Sequence, residues 1–204
     1  MCYNFFKKIQ NGDGPEKNKG RSWNEEREIK LIIERKVGEI QNRKNERRIY
    51  MINIKKVNCI EDAKICDELL TKLIQSERKF NKNIKSNYIV KGFFEKIYNN
   101  DNNVIFCAKI DKVIVGYIYC RFDSDCNGPM LHQEALIDGL YVKNEYRRRG
   151  IASNLIAHAK KWVKDKNIEN LYINVLEGNM EAMNLYYKNG FKNFEKKLKL
   201  GGGV

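Results

Sequence analysis

Residues 140–152 read Leu-Tyr-Val-Lys-Asn-Glu-Tyr-Arg-Arg-Arg-Gly-Ile-Ala, and this stretch decides how the 204-residue chain is interpreted. The apolar segment 135–142 runs into it and predicts a strand. From Gly150 onward, Ile151 and Leu155 recur on one face of an amphipathic pattern, which predicts a helix. The chain therefore passes from a strand through a polar, basic turn directly into a helix.

A turn of this composition is suited to binding an anion. The first N–H groups of a helix have no partner inside it and carry a partial positive charge. Gly150 and the small Ala152 let a phosphate group approach the backbone closely. Basic residues at a helix N-terminus oppose the helix dipole, so a structural role alone does not explain the three that stand here. They are Arg147, Arg148 and Arg149.

Apolar spacing along the rest of the chain predicts an α/β fold with a central mixed sheet of six to seven strands and helices on both faces. The predicted helices are Ile60–Glu77, residues 86–98, a helix opened by Gly150, and residues 179–188. The predicted strands are residues 50–57, 104–108, Val113–Phe122, 135–142, 171–175 and 191–200.

Residues 1–50 lie outside this pattern and form a separate part, and residues 51–200 form the domain. Residues 1–20 are expected to be a tail, because Asn11-Gly12-Asp13-Gly14-Pro15 is a turn sequence followed by a polar stretch. Residues 23–48 predict one amphipathic helix. That helix could dock on the domain, pair with a second copy in a homodimer, or extend into solvent.

Composition limits the partners and the compartment. The net charge of +13 suits nucleic acid, a membrane surface or a phosphorylated cofactor, but the excess is spread along a chain rich in Lys, Asn and Ile. Neither nucleic acid nor a membrane is therefore the expected partner. No apolar run reaches the roughly 20 residues of a membrane span, and no signal peptide is visible, so the cytoplasm is expected. Six cysteines without a Cys-x-x-Cys pair, and only two histidines, predict no metal site.

Two segments together resemble the GNAT superfamily of N-acetyltransferases. Residues 147–152 are similar to its acetyl-CoA signature, Gln/Arg-x-x-Gly-x-Gly/Ala, which follows a strand. Residues 179–191 resemble its Asn-x-x-Ala-x-x-Leu-Tyr-x-x-x-Gly-Phe segment. The close match spans residues 135–191, and the looser order of elements extends it back to Met51. The chain has no Gly-x-x-x-x-Gly-Lys-Ser/Thr sequence, so a P-loop is not expected.

The resemblance implies that acetyl-CoA is the cosubstrate. Its pantetheine arm would pair with backbone groups where two parallel strands splay apart, and its pyrophosphate would lie among backbone amides at the head of the next helix. Asn179 would hydrogen-bond the arm, and Tyr186 would lie near the thioester sulfur. The full implied set is Leu140, Tyr141, Val142, Arg147, Arg148, Arg149, Gly150, Ile151, Ala152, Ser153, Asn179 and Tyr186.

The implied chemistry needs a group that removes a proton from the amine and one that assists the leaving sulfur. Asp138 is the first candidate base, because it stands four residues before Val142 and strand alternation puts both side chains on one face. It could equally be an ordinary strand-end carboxylate. Glu134 is the second candidate base, and Tyr186 is the candidate acid.

We therefore expect an N-acetyltransferase that acts on a primary amine by direct attack in a ternary complex. Many protein-acetylating relatives have a glutamate where this chain has Asn174, which favours a small amine of the polyamine or aminoglycoside type. A protein N-terminal or lysine acetyltransferase and a non-catalytic CoA-binding module are the alternatives. The residues that could recognise a charged acceptor are Glu77, Arg78, Asp123 and Asp125.

Overall fold

The computed structural model describes residues 28, 30–36, 51–122, 133–198 and 200. The chain divides into two units, residues 1–49 and 50–204. In the first unit, the described residues are helical and exposed, including three consecutive apolar side chains, Leu31, Ile32 and Ile33. They fall within the predicted helix of residues 23–48, of which the remainder lies outside the described residues, as does the predicted tail.

The second unit contains a mixed sheet of five strands in its described residues, with the order β1-β2-β3-β4-β5. All neighbouring strands are antiparallel except β4 and β5, which are parallel. This arrangement confirms the predicted α/β class, although with five strands rather than six or seven. The strands are β1 (Asn53–Lys56), β2 (Asn103–Ile110), β3 (Val113–Phe122), β4 (Glu134–Val142) and β5 (Asn170–Ile173).

Four α-helices accompany the sheet in the described part of this unit, and they cover both of its faces. They are α1 (Ile60–Glu77), α2 (Phe93–Ile97), α3 (Ile151–Asp165) and α4 (Met180–Lys188), and a 3₁₀ turn, Asn144–Tyr146, precedes α3. α3 covers one face with Ile151, Leu155, Ile156 and Ala159 against the sheet, whereas α1 and α2 cover the other. Burying each of these leucine or isoleucine side chains contributes roughly 1.5–3 kcal/mol to folding.

Two predicted elements are wrong. The helix predicted for residues 86–98 is reduced to Phe93–Ile97, because Gly92 adopts φ +64° and the helix begins after it. Residues 191–198 and 200, predicted as part of a strand, pair with no strand of the described sheet. Phe194 and Leu198 are 77% and 81% exposed. The run Phe-Lys-Asn-Phe-Glu-Lys-Lys lacks an apolar residue at every second position, so pairing would bury little apolar surface.

β4 contains a bulge at Asp138. Tyr119 of β3 pairs with Gly139, whereas the next residue, Cys120, pairs with Ile137. Asp138 is therefore an extra residue in β4 that has no partner in β3. A bulge of this kind bends the strand and redirects its side chains, and bulges are common beside active sites.

The bulge changes which side chains share a face. Val142 packs in the core beneath α3, as Ile137 does on the other side of the bulge. Asp138 instead interacts with Tyr117, which belongs to the core beneath α1 and α2. The expectation that Asp138 and Val142 share a face is therefore wrong, because strand alternation holds only where the strand is uninterrupted.

Gly139 and Tyr117 meet closely beside the bulge. A Cβ atom on Gly139 would lie 2.9 Å from the hydroxyl oxygen of Tyr117 and 3.3 Å from its ring. Tyr117 is fully buried, and its hydroxyl has no hydrogen-bond partner among the described residues. The phenol therefore lies directly over the β4 backbone, in a place that only glycine leaves open.

We expect Gly139→Ala to lower the free energy of unfolding by about 1–3 kcal/mol, because the new methyl group would overlap the Tyr117 hydroxyl. Tyr117→Phe alone should not lower it, since a buried hydroxyl without a hydrogen bond is removed. The double variant should be less destabilised than Gly139→Ala, as measured by urea unfolding. Equal destabilisation of the single and double variants would show that the hydroxyl is not the obstacle.

Candidate active site

β4 and β5 separate part of the way along the sheet. Their parallel pairing runs from Glu134 opposite Asn170 to Ile137 opposite Ile173, and β5 ends there. β4 continues through residues 138–142, of which residues 139–142 pair with β3 and none pairs with β5. One side of this half of β4 consequently lacks a strand partner in the described sheet.

Backbone groups of Leu140 and Val142 face this gap. The N–H of Lys143 donates to the carbonyl of Val115 at 2.9 Å, so it points towards β3. Because successive peptide groups in an antiparallel strand alternate in direction, the N–H and C=O groups of Val142 and Leu140 point the other way. They form a free edge with which an extended ligand could form hydrogen bonds, as an additional strand would.

Arg147 lies at the end of this edge and connects β4 with α4. Its Nε donates to the Val142 carbonyl at 3.0 Å, and its guanidinium lies 5.7 Å from the centre of the Tyr141 ring. Its Nη1 lies 3.8 Å from the Glu181 carboxylate in the first turn of α4. The Val142 carbonyl is therefore occupied by Arg147, while its N–H remains directed into the gap.

The turn before α3 presents unused backbone N–H groups. Arg148 has φ +62° and Gly150, the N-cap residue of α3, has φ +76°. No side chain caps this helix, and its first turn contains no acidic residue. A Cβ atom on Gly150 would meet nothing within 4 Å. An open space beside the amides of Ile151, Ala152 and Ser153 fits a phosphate group, which would satisfy donors that the helix cannot.

The other two arginines of the turn, Arg148 and Arg149, differ in their surroundings. Arg149 donates Nη2 to the Glu145 carbonyl at 3.1 Å, and its guanidinium lies 5.5 Å from the centre of the Tyr146 ring. Arg148 is exposed. The positive potential at this end of α3 therefore comes from the helix dipole together with arginine charges held close to the turn.

α4 borders the gap on the side of β5. The Oδ1 atom of Asn179 caps α4 by accepting the N–H of Ala182 at 3.3 Å, so a structural role accounts for this side chain's oxygen. At the other end, Asn189 donates Nδ2 to the Ser153 hydroxyl of α3 at 3.2 Å. Gly190 follows with φ +87° and ends the helix. The segment that the sequence singled out thus fixes α4 against α3.

Tyr186 projects from α4 as a protonated phenol. Its ring packs edge-on to Phe191 with 6.1 Å between ring centres. Burial, followed by the charge of Glu77, raises the pKa of Tyr186 to about 12. The hydroxyl therefore keeps its proton at neutral pH and can donate a hydrogen bond, and no described residue accepts one from it.

The two carboxylates proposed as bases lie in different places. Asp138, 44% exposed in its side chain, accepts a hydrogen bond from Nε of Arg121 at 3.0 Å. Glu134 lies at the far, paired end of β4, where its Oε1 accepts the Tyr172 hydroxyl at 3.0 Å and raises the pKa of that phenol. The structure thus brings Asp138 to the edge of the gap and leaves Glu134 away from it.

Glu77 and Tyr117 also lie close to this gap. Glu77, the last residue of α1, interacts electrostatically with both Tyr117 and Tyr186, and burial raises the pKa of its carboxyl group. Glu77 was a candidate for recognising a charged acceptor, whereas Tyr117 was not a candidate, because an aromatic residue within a strand predicts only core packing. Of the other candidates for acceptor recognition, Arg78 donates Nε to the Ile84 carbonyl at 3.2 Å, whereas Asp123 and Asp125 lie outside the described residues.

The described residues contain neither a cluster of metal ligands nor a helix that could span a membrane. Among residues 28, 30–36, 51–122, 133–198 and 200, no three His, Cys, Asp or Glu side chains are grouped so that they could hold a metal ion. In the same ranges, no helix combines the length and apolar character that crossing a bilayer requires.

Comparison with known proteins identifies related chains. The acetyltransferase (GNAT) family model matches residues 68–191. An N-alpha-acetyltransferase of Saccharolobus solfataricus is 33% identical over 105 residues, covering 49% of this chain and 63% of that protein. A spermidine N(1)-acetyltransferase of Thermoplasma acidophilum is 28% identical over 122 residues, covering 58% and 71% of the two chains. The match thus spans less than two thirds of the N-alpha-acetyltransferase.

Solved structures show the same fold at low sequence identity. The aminoglycoside N-acetyltransferase AAC(6')-Iy in complex with CoA has a TM-score of 0.56 and 20% identity, covering 78% of this chain and 99% of that one. An aminoglycoside acetyltransferase from an uncultured soil metagenomic sample, in complex with sisomicin, has a TM-score of 0.58 and 17% identity, covering 75% and 96%.

We expect Asp138→Asn to change the free energy of unfolding by less than about 1 kcal/mol, because exposed ion pairs contribute little to stability. Arg121→Gln removes the other partner and should have an equally small effect in urea unfolding. Any large loss of activity in Asp138→Asn would then reflect chemistry at the site. A loss of several kcal/mol in stability would instead assign Asp138 a structural role.

Proposed function

This chain belongs to the GNAT family of acetyltransferases, and we propose that it transfers an acetyl group from acetyl-CoA to a primary amine of a small molecule. One observation carries the proposal: a free backbone edge on β4 leads directly to the uncapped N-terminus of α3. An elongated ligand with a diphosphate near its middle is complementary to both features. The free edge of β4 can pair with an extended chain that contains amides, and the N-terminus of α3 can bind an anion.

The chain's own residues fit acetyl-CoA along its length. The peptide groups of Leu140 and Val142 would pair with the pantetheine arm. The amides of Ile151, Ala152 and Ser153 would hold the diphosphate, beside the open space at Gly150. When bound there, acetyl-CoA supplies an acyl group activated as a thioester.

The residues around the gap would divide the chemistry among them. A neutral amine must reach the thioester carbonyl, so a carboxylate has to take a proton from the ammonium form. The N–H of Leu140, which is farther from the diphosphate than Val142, would donate a hydrogen bond to the carbonyl oxygen as negative charge develops there. Tyr186, kept protonated by its raised pKa, would donate a hydrogen bond to the sulfur as the C–S bond breaks.

The acceptor class is drawn from the electrostatics of the site and from the relatives. Glu77 and Asp138 both interact with Tyr117 beside β4, which favours a cationic acceptor. Asn174 follows β5 in place of the glutamate expected of many protein-acetylating relatives. A spermidine acetyltransferase and aminoglycoside acetyltransferases are among the similar proteins. The similarity to an archaeal N-alpha-acetyltransferase makes a protein N-terminus the second candidate.

Release of the free thiol from acetyl-CoA distinguishes these functions. The panel contains spermidine, an aminoglycoside, a peptide with a free N-terminus and a peptide with an internal lysine. Turnover of the small amines supports the proposal, and turnover of the N-terminal peptide alone favours the second candidate. Tight CoA binding without turnover of any amine would contradict both and support a non-catalytic CoA-binding module.

Gly150→Glu should abolish CoA binding measured by calorimetry, because a side chain and a negative charge would enter the space for the diphosphate. Gly150→Ala tests the effect of backbone strain on CoA binding without adding a negative charge. It adds only the strain of a φ near +76°, of about 1–2 kcal/mol, and should weaken binding less. Unchanged affinity in Gly150→Glu would show that the diphosphate lies elsewhere.

Tyr186→Phe should lower kcat by about 10-fold or more and leave the affinity for CoA almost unchanged, because its hydroxyl acts on the sulfur only as the bond breaks. Tyr187→Phe is the matched control, since Tyr187 is exposed and its hydroxyl donates to Asn193 at 2.7 Å. Steady-state kinetics measure both variants. Equal kcat values for Tyr186→Phe and the unaltered protein would remove Tyr186 from this role.

A further inference from the structure

Glu77 has a carboxylate without a counter-ion among the described residues. Its side chain is half-buried, and no described residue forms an ion pair or a hydrogen bond with its carboxylate. The neighbouring Arg78 donates Nε to the carbonyl of Ile84 at 3.2 Å and does not neutralise it. A carboxylate that is partly removed from water is more favourable when it is paired, so a bound cation would stabilise Glu77.

The position of Glu77 in its helix makes the charge still less favourable. It is the last residue of α1, and the last turn of α1 contains no basic residue. The carbonyl groups at a helix C-terminus carry partial negative charge, which repels an anion and attracts a cation. A carboxylate at this position does not stabilise the helix, whereas both the carboxylate of Glu77 and the C-terminus of α1 would attract a bound ammonium group.

The neighbours of Glu77 place it at the gap. It interacts with Tyr117, whose hydroxyl lies against Gly139 on the unpaired half of β4. It also interacts with Tyr186 on α4. Leu73, one turn before Glu77, packs against the cluster that contains Tyr117, and the ring of Phe80, three residues after Glu77, lies 3.7 Å from where a Cβ atom on Gly178 would stand, just before α4. The end of α1 therefore lies beside the core that contains Tyr117 and beside the start of α4.

Other carboxylates on the elements around Glu77 have different surroundings. Asp138 of β4 acts on the same Tyr117 hydroxyl but is itself paired with Arg121. On the side of α2, the charge of Glu95 acts on Asp67, which is bound to the start of that helix. Among the described residues, Glu77 is therefore the carboxylate at the gap that no cation neutralises.

We propose that Glu77 binds the ammonium group of the acceptor and removes its proton before attack. This inference rests on the proposed function and names the residue that performs its first step. One N–H bond of the ammonium breaks and an O–H bond forms on Glu77, so two opposite charges become a neutral amine and a neutral carboxylic acid. The nitrogen lone pair is then free to attack the thioester carbonyl.

Burial makes this transfer easier. An unperturbed ammonium has a pKa of about 10.4 and a glutamate of about 4.3, so the transfer is unfavourable in water. Burial raises the pKa of Glu77, which narrows this difference from the side of the carboxylate. Asp138 is instead held in an ion pair by the guanidinium of Arg121, so it is less available to a cationic acceptor.

Glu77→Gln tests the inference. We expect kcat/KM for the best amine of the panel to fall by about 100-fold or more. In the unaltered protein, kcat/KM should rise with pH through an acidic limb whose pKa lies above the usual range of glutamate, and this limb should be missing in Glu77→Gln. Glu77→Asp keeps the carboxylate and should retain part of the activity. Glu68→Gln, at an exposed position of α1, is the matched control and should change neither quantity.

Stability separates this role from a structural one. Glu77→Gln should not lower the free energy of unfolding at neutral pH, because it removes an unpaired charge from the negative end of a helix. If the variant loses activity and is also destabilised by several kcal/mol in urea unfolding, Glu77 has a structural role and the inference is overturned. The same holds if kcat/KM and its acidic limb are unchanged.

A measurement of amine binding tests the role of Glu77 separately from the proposed function. Binding of spermidine in the presence of CoA is measured by calorimetry and needs no turnover. If the unaltered protein turns over no amine, the proposed function fails. Loss of at least 10-fold in spermidine affinity in Glu77→Gln would still support the cation site. Equal affinity in both proteins, or no binding to either, would overturn it.

Discussion

The unpaired half of β4 is the constraint on which the rest of this structure depends. Buried backbone N–H and C=O groups need partners, yet β5 ends at Ile173 while β4 continues to Val142. Arg147 satisfies one carbonyl on this edge, and the remaining groups open onto a gap. The bulge at Asp138, the close contact of Tyr117 with Gly139 and the uncapped start of α3 all lie along the same edge.

Charge is distributed differently on the two sides of this edge. Towards α3, arginine side chains and a helix N-terminus create a positive environment suited to a diphosphate. Towards α1, Glu77 at a helix C-terminus and Asp138 at the bulge create a negative environment suited to an ammonium group. Opposite helix ends thus meet at the gap with opposite polarity, which would orient an anionic donor and a cationic acceptor around β4.

Local patterns predicted much of this architecture, whereas relations between strands did not follow from them. The bounds Ile60–Glu77 and a helix that begins near Asn179 follow from periodicity, and the structure agrees with both. The bulge depends on how β3 and β4 pair, and Gly139 beside Asp138 suggests an irregularity without fixing which residue is left unpaired. The importance of Glu77 likewise arises from three elements that meet in space. Residues 191–200 mislead because their aromatic and apolar residues occur without a partner strand.

A crystal structure of the protein with CoA tests the central claim most directly. The account predicts the diphosphate within hydrogen-bond distance of the amides of Ile151, Ala152 and Ser153, with the pantetheine arm alongside Leu140 and Val142. CoA bound at another surface, or a gap filled by side chains of the protein itself in the presence of saturating CoA, would contradict it.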